Sequence, residues 1–413
     1  MYPLHTPEVV ILDRVRQDPL ANARLERMLA AIETDRLTEV DEAGFNDLVA
    51  QRGWNRGGWR TGQYRMTEPP PLLFSTFRWA SAEEFAELRA RYPNLTGTLW
   101  LGQAPWTFRD ASTLRRDQSC VCQSAWEIHC AYGCLHACDY CHVPNWFLIN
   151  LNLEELAKRV RAFGETVPEQ NLYKFDNMTD TIALEPEYGA SAVMVPLFAD
   201  WPGRYLLLYT KSDNVDHLLE LPHNGKTMVS WSLSSARVAE QIEKGTPSME
   251  ARIAAIEKCQ RAGYTVRVRI SPICPIRDWR EDYRELVQQL LTRTRPDVIS
   301  LDVLGWMDPA TMQEALDVSL FENRYAASLD KLIAEGFRRL GKHVFPHDMR
   351  AEILRFVIAQ IHEICPEQPV SLCMETVDMW RELSPELGRM APGNYACCCG
   401  PTSVPGHPLV GPR

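Results

Sequence analysis

The run Trp126-Glu-Ile-His-Cys130-Ala-Tyr-Gly-Cys134-Leu-His-Ala-Cys138-Asp-Tyr-Cys141 joins a short strand-forming segment to three thiols spaced Cys-x-x-x-Cys-x-x-Cys. Trp126–Cys130 reads as a strand, and the thiols follow at its end. Working outward, further strands are expected at Leu172–Phe175, Tyr205–Thr210, Thr227–Leu233, Thr265–Ile270 and Val298–Val303. Helical periodicity falls between them, most clearly at Leu153–Phe163, Met249–Ala262 and Glu281–Arg293. Strands alternating with helices imply βαβ units and a parallel sheet. Six such units predict an α/β fold, a partial (βα)6 barrel, with Val370–Met374 as a further strand. In βα barrels, functional groups gather at the C-terminal ends of the strands. The three-thiol loop occupies such a position.

Around this core (121–305) the chain divides into an N-terminal extension (1–120), a segment of helices and a strand completing the barrel (306–390) and a tail (391–413). The extension shows a helical apolar stripe at Leu20–Ile32 and a second helix at 82–90. The stretch 52–80, rich in Gly, Trp, Arg and Pro, reads as loop. The tail holds five prolines and four glycines around Cys397-Cys-Cys399 and reads as irregular chain.

The 413 residues are 45% hydrophobic, which suits a globular enzyme with a large core. The longest apolar runs, such as Tyr205–Tyr209, fall far short of the ~20 residues a membrane helix needs. Met1-Tyr-Pro-Leu4 shows no basic region followed by an apolar run, so a cytoplasmic protein with no membrane partner is expected. A net charge of −10 argues against a broad nucleic-acid surface, and the arginines at Arg56–Arg60 and Arg115–Arg116 read as solvated surface. Thirteen cysteines are many for such a chain. Disulfides belong to oxidising compartments, and clustering at ligand-like spacing favours metal or iron–sulfur ligation.

Cys134, Cys138 and Cys141 can hold three irons of a 4Fe–4S cluster. The fourth iron then lacks a protein ligand and can chelate the amino and carboxylate groups of S-adenosylmethionine (SAM). Transfer of one electron into its sulfonium breaks a C–S bond and yields a carbon radical, chemistry that belongs to the cofactor. The competing reading is a zinc site with Cys130 as fourth ligand, but zinc sites draw ligand pairs from separated segments, whereas these crowd one loop. Cys120 and Cys122 read as surface thiols or as ligands of a metal.

Beyond the thiol loop, the chain resembles spore photoproduct lyase and its relatives in the radical SAM superfamily. The resemblance rests on Tyr209-Thr-Lys-Ser-Asp-Asn-Val-Asp-His-Leu-Leu219, His223-Asn-Gly-Lys-Thr227, Ser230-Trp-Ser-Leu-Ser234, Glu243-Lys-Gly-Thr-Pro247, Arg252-Ile-Ala-Ala255, Ala262-Gly-Tyr264, Ser271-Pro-Ile273 and Trp279 through Tyr283. It covers residues 125–305, with an echo at Leu372-Cys-Met-Glu-Thr376. It implies a partial barrel with SAM at its open top. It also implies SAM contacts from Tyr140, Thr179, Lys211, Ser232 and Ser271, and an electron donor such as flavodoxin or ferredoxin. A Lys suits the SAM carboxylate and a hydroxyl its ribose.

Two positions depart from the family. The resemblance implies a hydrogen-donating cysteine where Asn177 stands, and a relay tyrosine where His142 stands. An amide cannot donate hydrogen to a carbon radical as a thiol does. Cys274, at the end of the fifth strand, is a candidate replacement; its bland reading is a small buried hydrophobe. The tail thiols Cys397, Cys398 and Cys399 are candidate ligands of a second cluster or of a soft, thiophilic centre such as trivalent arsenic. Related radical SAM enzymes that build carbon–arsenic bonds carry a C-terminal cysteine group, although this run does not match theirs closely. The leading expectation is therefore a radical SAM enzyme acting on a small-molecule or metalloid substrate. The alternatives are transfer of the aminocarboxypropyl group of SAM to tail-bound arsenite, DNA photoproduct repair, and a non-catalytic metal-sequestering protein.

Overall fold

The computed structural model describes residues 1–56, 69–99, 105–337 and 343–411. Part of the 52–80 stretch read as loop, and the Arg56–Arg60 group apart from Arg56, lie outside the described residues.

Among the described residues the main sheet has eight strands, in the order Val370–Leu372, Ile299–Val303, Thr265–Ile273, Thr227–Leu233, Tyr205–Thr210, Leu172–Phe175, Ala125–Ile128, Trp106–Arg109. Every neighbouring pair is parallel except the last, where Trp106–Arg109 runs antiparallel beside Ala125–Ile128. The expected βα alternation is thus observed, with strand limits moved by at most a few residues. The order is sequential because each crossover helix returns the chain one strand further along. The helix Leu153–Glu165 shows how: Leu153, Leu156, Ala157, Val160 and Gly164 form one buried stripe. Gly164 is required there, since a Cβ would lie 2.3 Å from the Trp201 ring. Ser248 caps the helix Met249–Arg261 by accepting from Ala251 N at 3.2 Å.

The sheet is open but curled. Arg109 from one edge, Leu372 from the other, and Glu127, Lys174, Arg269 and Ser300 between them all line one cavity. The segment after the helix Ala111–Gln118 fills the gap between the edges: Val121 N donates to Glu375 O, and Cys120 bridges Thr376.

The N-terminal part forms structure that the sequence reading did not anticipate. Val9–Leu12, Leu37–Val40 and Leu72–Ser75 build a second, parallel sheet, joined by Phe147–Asn150 from beyond the thiol loop and by Ala131–Tyr132. The strand Phe147–Asn150 therefore ties the N-terminal sheet to the loop that carries the three thiols. The two expected N-terminal helices are observed at Pro19–Leu29 and Ala82–Arg91.

The tail lies at the start of the strands, the end opposite the thiol loop. Asn171 and Leu172 donate N–H bonds to Pro401 O at 2.9 and 2.8 Å, Gly411 N donates to Asp297 O at 2.7 Å, and the Arg267 guanidinium donates to Cys398 O at 3.1 Å. It closes the curled sheet from below rather than folding across the mouth. No helix among the described residues is long and apolar enough to cross a membrane.

Candidate functional site

The thiol loop is pinned from three sides. Gly133 has φ 121°, and a Cβ there would meet Trp146 O at 2.6 Å and Phe147 Cα at 2.7 Å. Only glycine enters the loop at this angle. Ala137–Cys138 pairs antiparallel with Glu243–Lys244, and Lys244 Nζ meets Asp139 at 3.0 Å. His136 bonds Gly245 O at 2.9 Å and Asp180 Oδ2 at 3.0 Å, so it links the loop to the ends of two strands. Gly133→Ala should cost about 3 kcal/mol of stability, from strain and overlap combined. Denaturant unfolding beside wild type checks this, and an unchanged midpoint would contradict it.

Cys134, Cys138 and Cys141 line one cavity of about 120 Å³. No three His, Cys, Asp or Glu side chains among the described residues converge as a single ion would require. A cubane holds its thiolates further apart, around a body of iron and sulfide, so three thiols spread around one cavity suit it better than they suit zinc. Cys130 does not join them. It is fully buried in the apolar core, with its N–H on Asp176 Oδ2 at 2.8 Å.

Thr179, Lys211 and Ser232, three of the five residues expected to contact SAM, line the same cavity as the thiols, and so does Tyr140. The Thr179 hydroxyl is buried and bonds nothing within the protein, which suits a polar ligand in the cavity. Ser232 donates to Tyr209 Oη at 3.2 Å. Ser271 lines the neighbouring cavity and donates to Asp302 Oδ2 at 2.9 Å.

Glu243 organises this wall, and the sequence reading did not single it out. Its fully buried carboxylate accepts from Arg252 NH1 at 2.6 Å, Ser234 Oγ at 2.9 Å and the Tyr140 hydroxyl, and it meets Lys211 Nζ at 3.2 Å. Arg252 is itself fully buried; it also bonds Pro247 O at 2.9 Å and the Thr246 hydroxyl. The run Glu243-Lys-Gly-Thr-Pro247 is thus one side of a buried ion pair that orients Tyr140 and Lys211. Burial alone would raise the Glu243 pKa. Lys211 and Arg252 outweigh that and hold it at about 2, against an ordinary 4.5. Because this pKa is lower folded than unfolded, the stabilisation is complete above 4.5 and is lost as pH falls from there through about 2. Urea midpoints should drop across that window, and Glu243→Gln should flatten this part of the profile. An identical profile in the variant would contradict the assignment.

Asp180 was also missed. It accepts from Thr210 Oγ1 at 2.8 Å and Lys211 N at 2.7 Å, and pairs with His136. Its position directly after Thr179 was the available signal.

Three cavities adjoin. The thiol cavity shares Tyr140, Cys141, Tyr209 and Asn177 with a second of about 430 Å³, which shares Lys174, Asn177, Arg269 and Trp306 with a third of about 400 Å³. Asn177 lines all three. Its amide satisfies its neighbours by donating to Glu127 Oε2 (3.2 Å) and accepting from Lys174 Nζ (3.3 Å). His142 lines the second cavity with a buried Nε2 that bonds no protein group, and burial lowers its pKa. Cys274, the candidate replacement thiol, is fully buried in the core; its sulfur lies 3.9 Å from Pro272 O, and it lines none of these cavities.

The tail thiols do not act as a run of three. Cys398 turns into the core, its thiol on Val268 O at 3.3 Å. Cys397, Cys398 and Cys399 all border the third cavity, with Cys122 and Cys373. Cys120, read as a surface thiol, is fully buried.

A family model described as spore photoproduct lyase matches residues 110–370. A spore photoproduct lyase of Geobacillus sp. is 29% identical over 208 residues, covering 49% of this chain and 59% of that protein. One from Clostridium acetobutylicum is 22% identical over 298 residues, covering 68% and 88%. The chain thus spans less than two thirds of the Geobacillus relative. The solved structure of a doubly substituted spore photoproduct lyase, with bound AdoMet and dinucleoside spore photoproduct, has the same fold. Its TM-score is 0.60 at 19% identity, covering 90% of this chain and 98% of that one.

Proposed function

Because the chain belongs to the spore photoproduct lyase family, whose model spans more than half of it, we propose that it is a radical SAM enzyme acting on a DNA-derived, photoproduct-type substrate. The carrying observation is one cavity lined by Cys134, Cys138 and Cys141 together with Thr179, Lys211 and Ser232, which adjoins a larger one.

The three cysteines would hold a 4Fe–4S cluster. When bound, that cluster supplies the electron that cleaves SAM and leaves a 5′-deoxyadenosyl radical. The chain's own residues do the rest. The Lys211 ammonium, held against Glu243, offers a charge to the SAM carboxylate, and the free hydroxyl of Thr179 offers a hydrogen bond. Tyr140, anchored through its hydroxyl, presents its ring between the first cavity and the second. The substrate would occupy the second cavity, where Tyr209, Trp306, Lys174 and Arg269 combine aromatic faces with positive charge. That lining suits bases and a phosphate.

The sequence reading placed a small-molecule or metalloid substrate first. The family match and the relatives support the DNA-lesion alternative instead, and nothing in them supports arsenic or group transfer. The test is reduced, reconstituted protein given SAM and dinucleoside spore photoproduct. We expect 5′-deoxyadenosine, with consumption of the dinucleoside. Release of 5′-methylthioadenosine, or 5′-deoxyadenosine with the dinucleoside untouched, would overturn the reading.

A further inference from the structure

We propose that Cys122, Cys373, Cys397 and Cys399 form a second ligand set, which holds an iron–sulfur cluster inside the curled sheet. The inference goes beyond the proposed activity and does not rest on it.

The four residues come from three separate places: the segment that fills the gap in the sheet, the end of the edge strand Val370–Leu372, and the tail. They nevertheless border the same cavity of about 400 Å³. Cys397 and Cys399 lie within electrostatic reach of each other and of Cys122 and Cys373. Four thiols from three segments do not meet by helical or strand periodicity. Each is half-buried and borders the cavity, and Cys397 and Cys399 also pack against apolar neighbours.

The surroundings suit a thiolate cluster. Arg109 NH1 lies 3.5 Å from Cys399 Sγ, and Arg269 NH2 lies 3.2 Å from Cys373 Sγ. With Lys174 these make three cations. Two carboxylates, Glu127 and Asp302, pair with them, leaving a positive surplus. A tetrathiolate 4Fe–4S cluster is negative overall, and guanidinium N–H groups directed at its sulfurs stabilise it. The tail is anchored for such a role: Arg109 NH2 also holds Cys399 O at 3.2 Å, and Gly400 is confined by Gln123, whose Oε1 a Cβ would approach to 2.3 Å.

A polynuclear centre fits better than a single ion. The cavity is far larger than one ion needs, and no three of these sulfurs converge on a point. The thiols of the first loop show the same spread. Cys398 also borders the cavity, but it is buried and its thiol donates to Val268 O, so it is not one of the four. On assembly each thiol releases its proton as it binds iron, with sulfide and both ferrous and ferric iron supplied from solution, so that the mixed-valent cluster needs no further oxidant or reductant.

The experiment begins with Cys134, Cys138 and Cys141 all changed to alanine in the full chain, followed by anaerobic reconstitution with iron and sulfide. This protein should still take up about four irons per chain, with the absorption and reduced-state resonance of an iron–sulfur cluster. Adding Cys397→Ala and Cys399→Ala should remove them, whereas adding Cys398→Ala should not. In the reverse experiment, Cys122→Ala or Cys399→Ala alone should leave about four irons at the first loop, which also shows that the chain still folds. The proposal is overturned if protein lacking the first three cysteines holds no cluster, if it takes up one zinc instead, or if Cys398→Ala costs as much iron as Cys399→Ala.

Discussion

Cys138→Ala protein, reconstituted and reduced without oxygen, should release no 5′-deoxyadenosine from SAM above background, a fall of at least about a thousandfold. Cys138 is the most buried of the three loop thiols, and its backbone is paired with Glu243. The nearest cysteine in sequence outside the loop, Cys130, lies in the apolar core with its backbone fixed to Asp176. Cys130→Ala is therefore the informative companion: it removes a thiol four residues from the loop yet should keep full iron uptake and SAM cleavage. If Cys130→Ala lost iron as completely as Cys138→Ala, the ligand set would have four members and no iron would remain open to SAM.

Arg252→Ala should lower stability by about 3–5 kcal/mol, among the largest losses expected of a single substitution here. The change leaves the Glu243 carboxylate fully buried with Lys211 as its remaining charged partner, and it opens a void where a large buried side chain stood. Replacing both partners with neutral groups of similar size should cost less than the single change, because no uncompensated charge then remains. Urea unfolding of Arg252→Ala, Glu243→Gln/Arg252→Met and wild type decides this. A double variant as unstable as Arg252→Ala would assign the loss to packing and not to charge. SAM turnover of Arg252→Ala should fall through a raised KM for SAM, since Tyr140 and Lys211 are held by the same carboxylate.

The barrel was legible because its strands are apolar runs bounded by turn residues. Leu172–Phe175, Tyr205–Thr210 and Thr227–Leu233 are observed with the expected limits. The N-terminal sheet was not legible for the opposite reason. Val9–Leu12 and Leu72–Ser75 are four-residue strands buried on both faces, so they show no alternation, and their partner Phe147–Asn150 lies far along the chain. The loop thiols were legible through local spacing, whereas the hydroxyls and lysine that share their cavity were implied by the family resemblance alone. Glu243 was not legible, because a buried carboxylate is recognised only by the Arg252 and Lys211 that offset it. The tail shows the limit most clearly. Cys397, Cys398 and Cys399 read as one group, but the chain turns at Cys398 and Cys399, and the Cys398 thiol is held by Val268 O. The three border one cavity, and their companions there, Cys122 and Cys373, are adjacent to them only in the folded chain.

The whole account depends on the first loop leaving one iron without a protein ligand. The direct measurement is Mössbauer spectroscopy of protein reconstituted with isotopically enriched iron, in a Cys397→Ala/Cys399→Ala background, recorded before and after SAM is added. One iron of the cluster should change its isomer shift on binding SAM while the others keep theirs. A spectrum in which no iron responds to SAM would contradict the account.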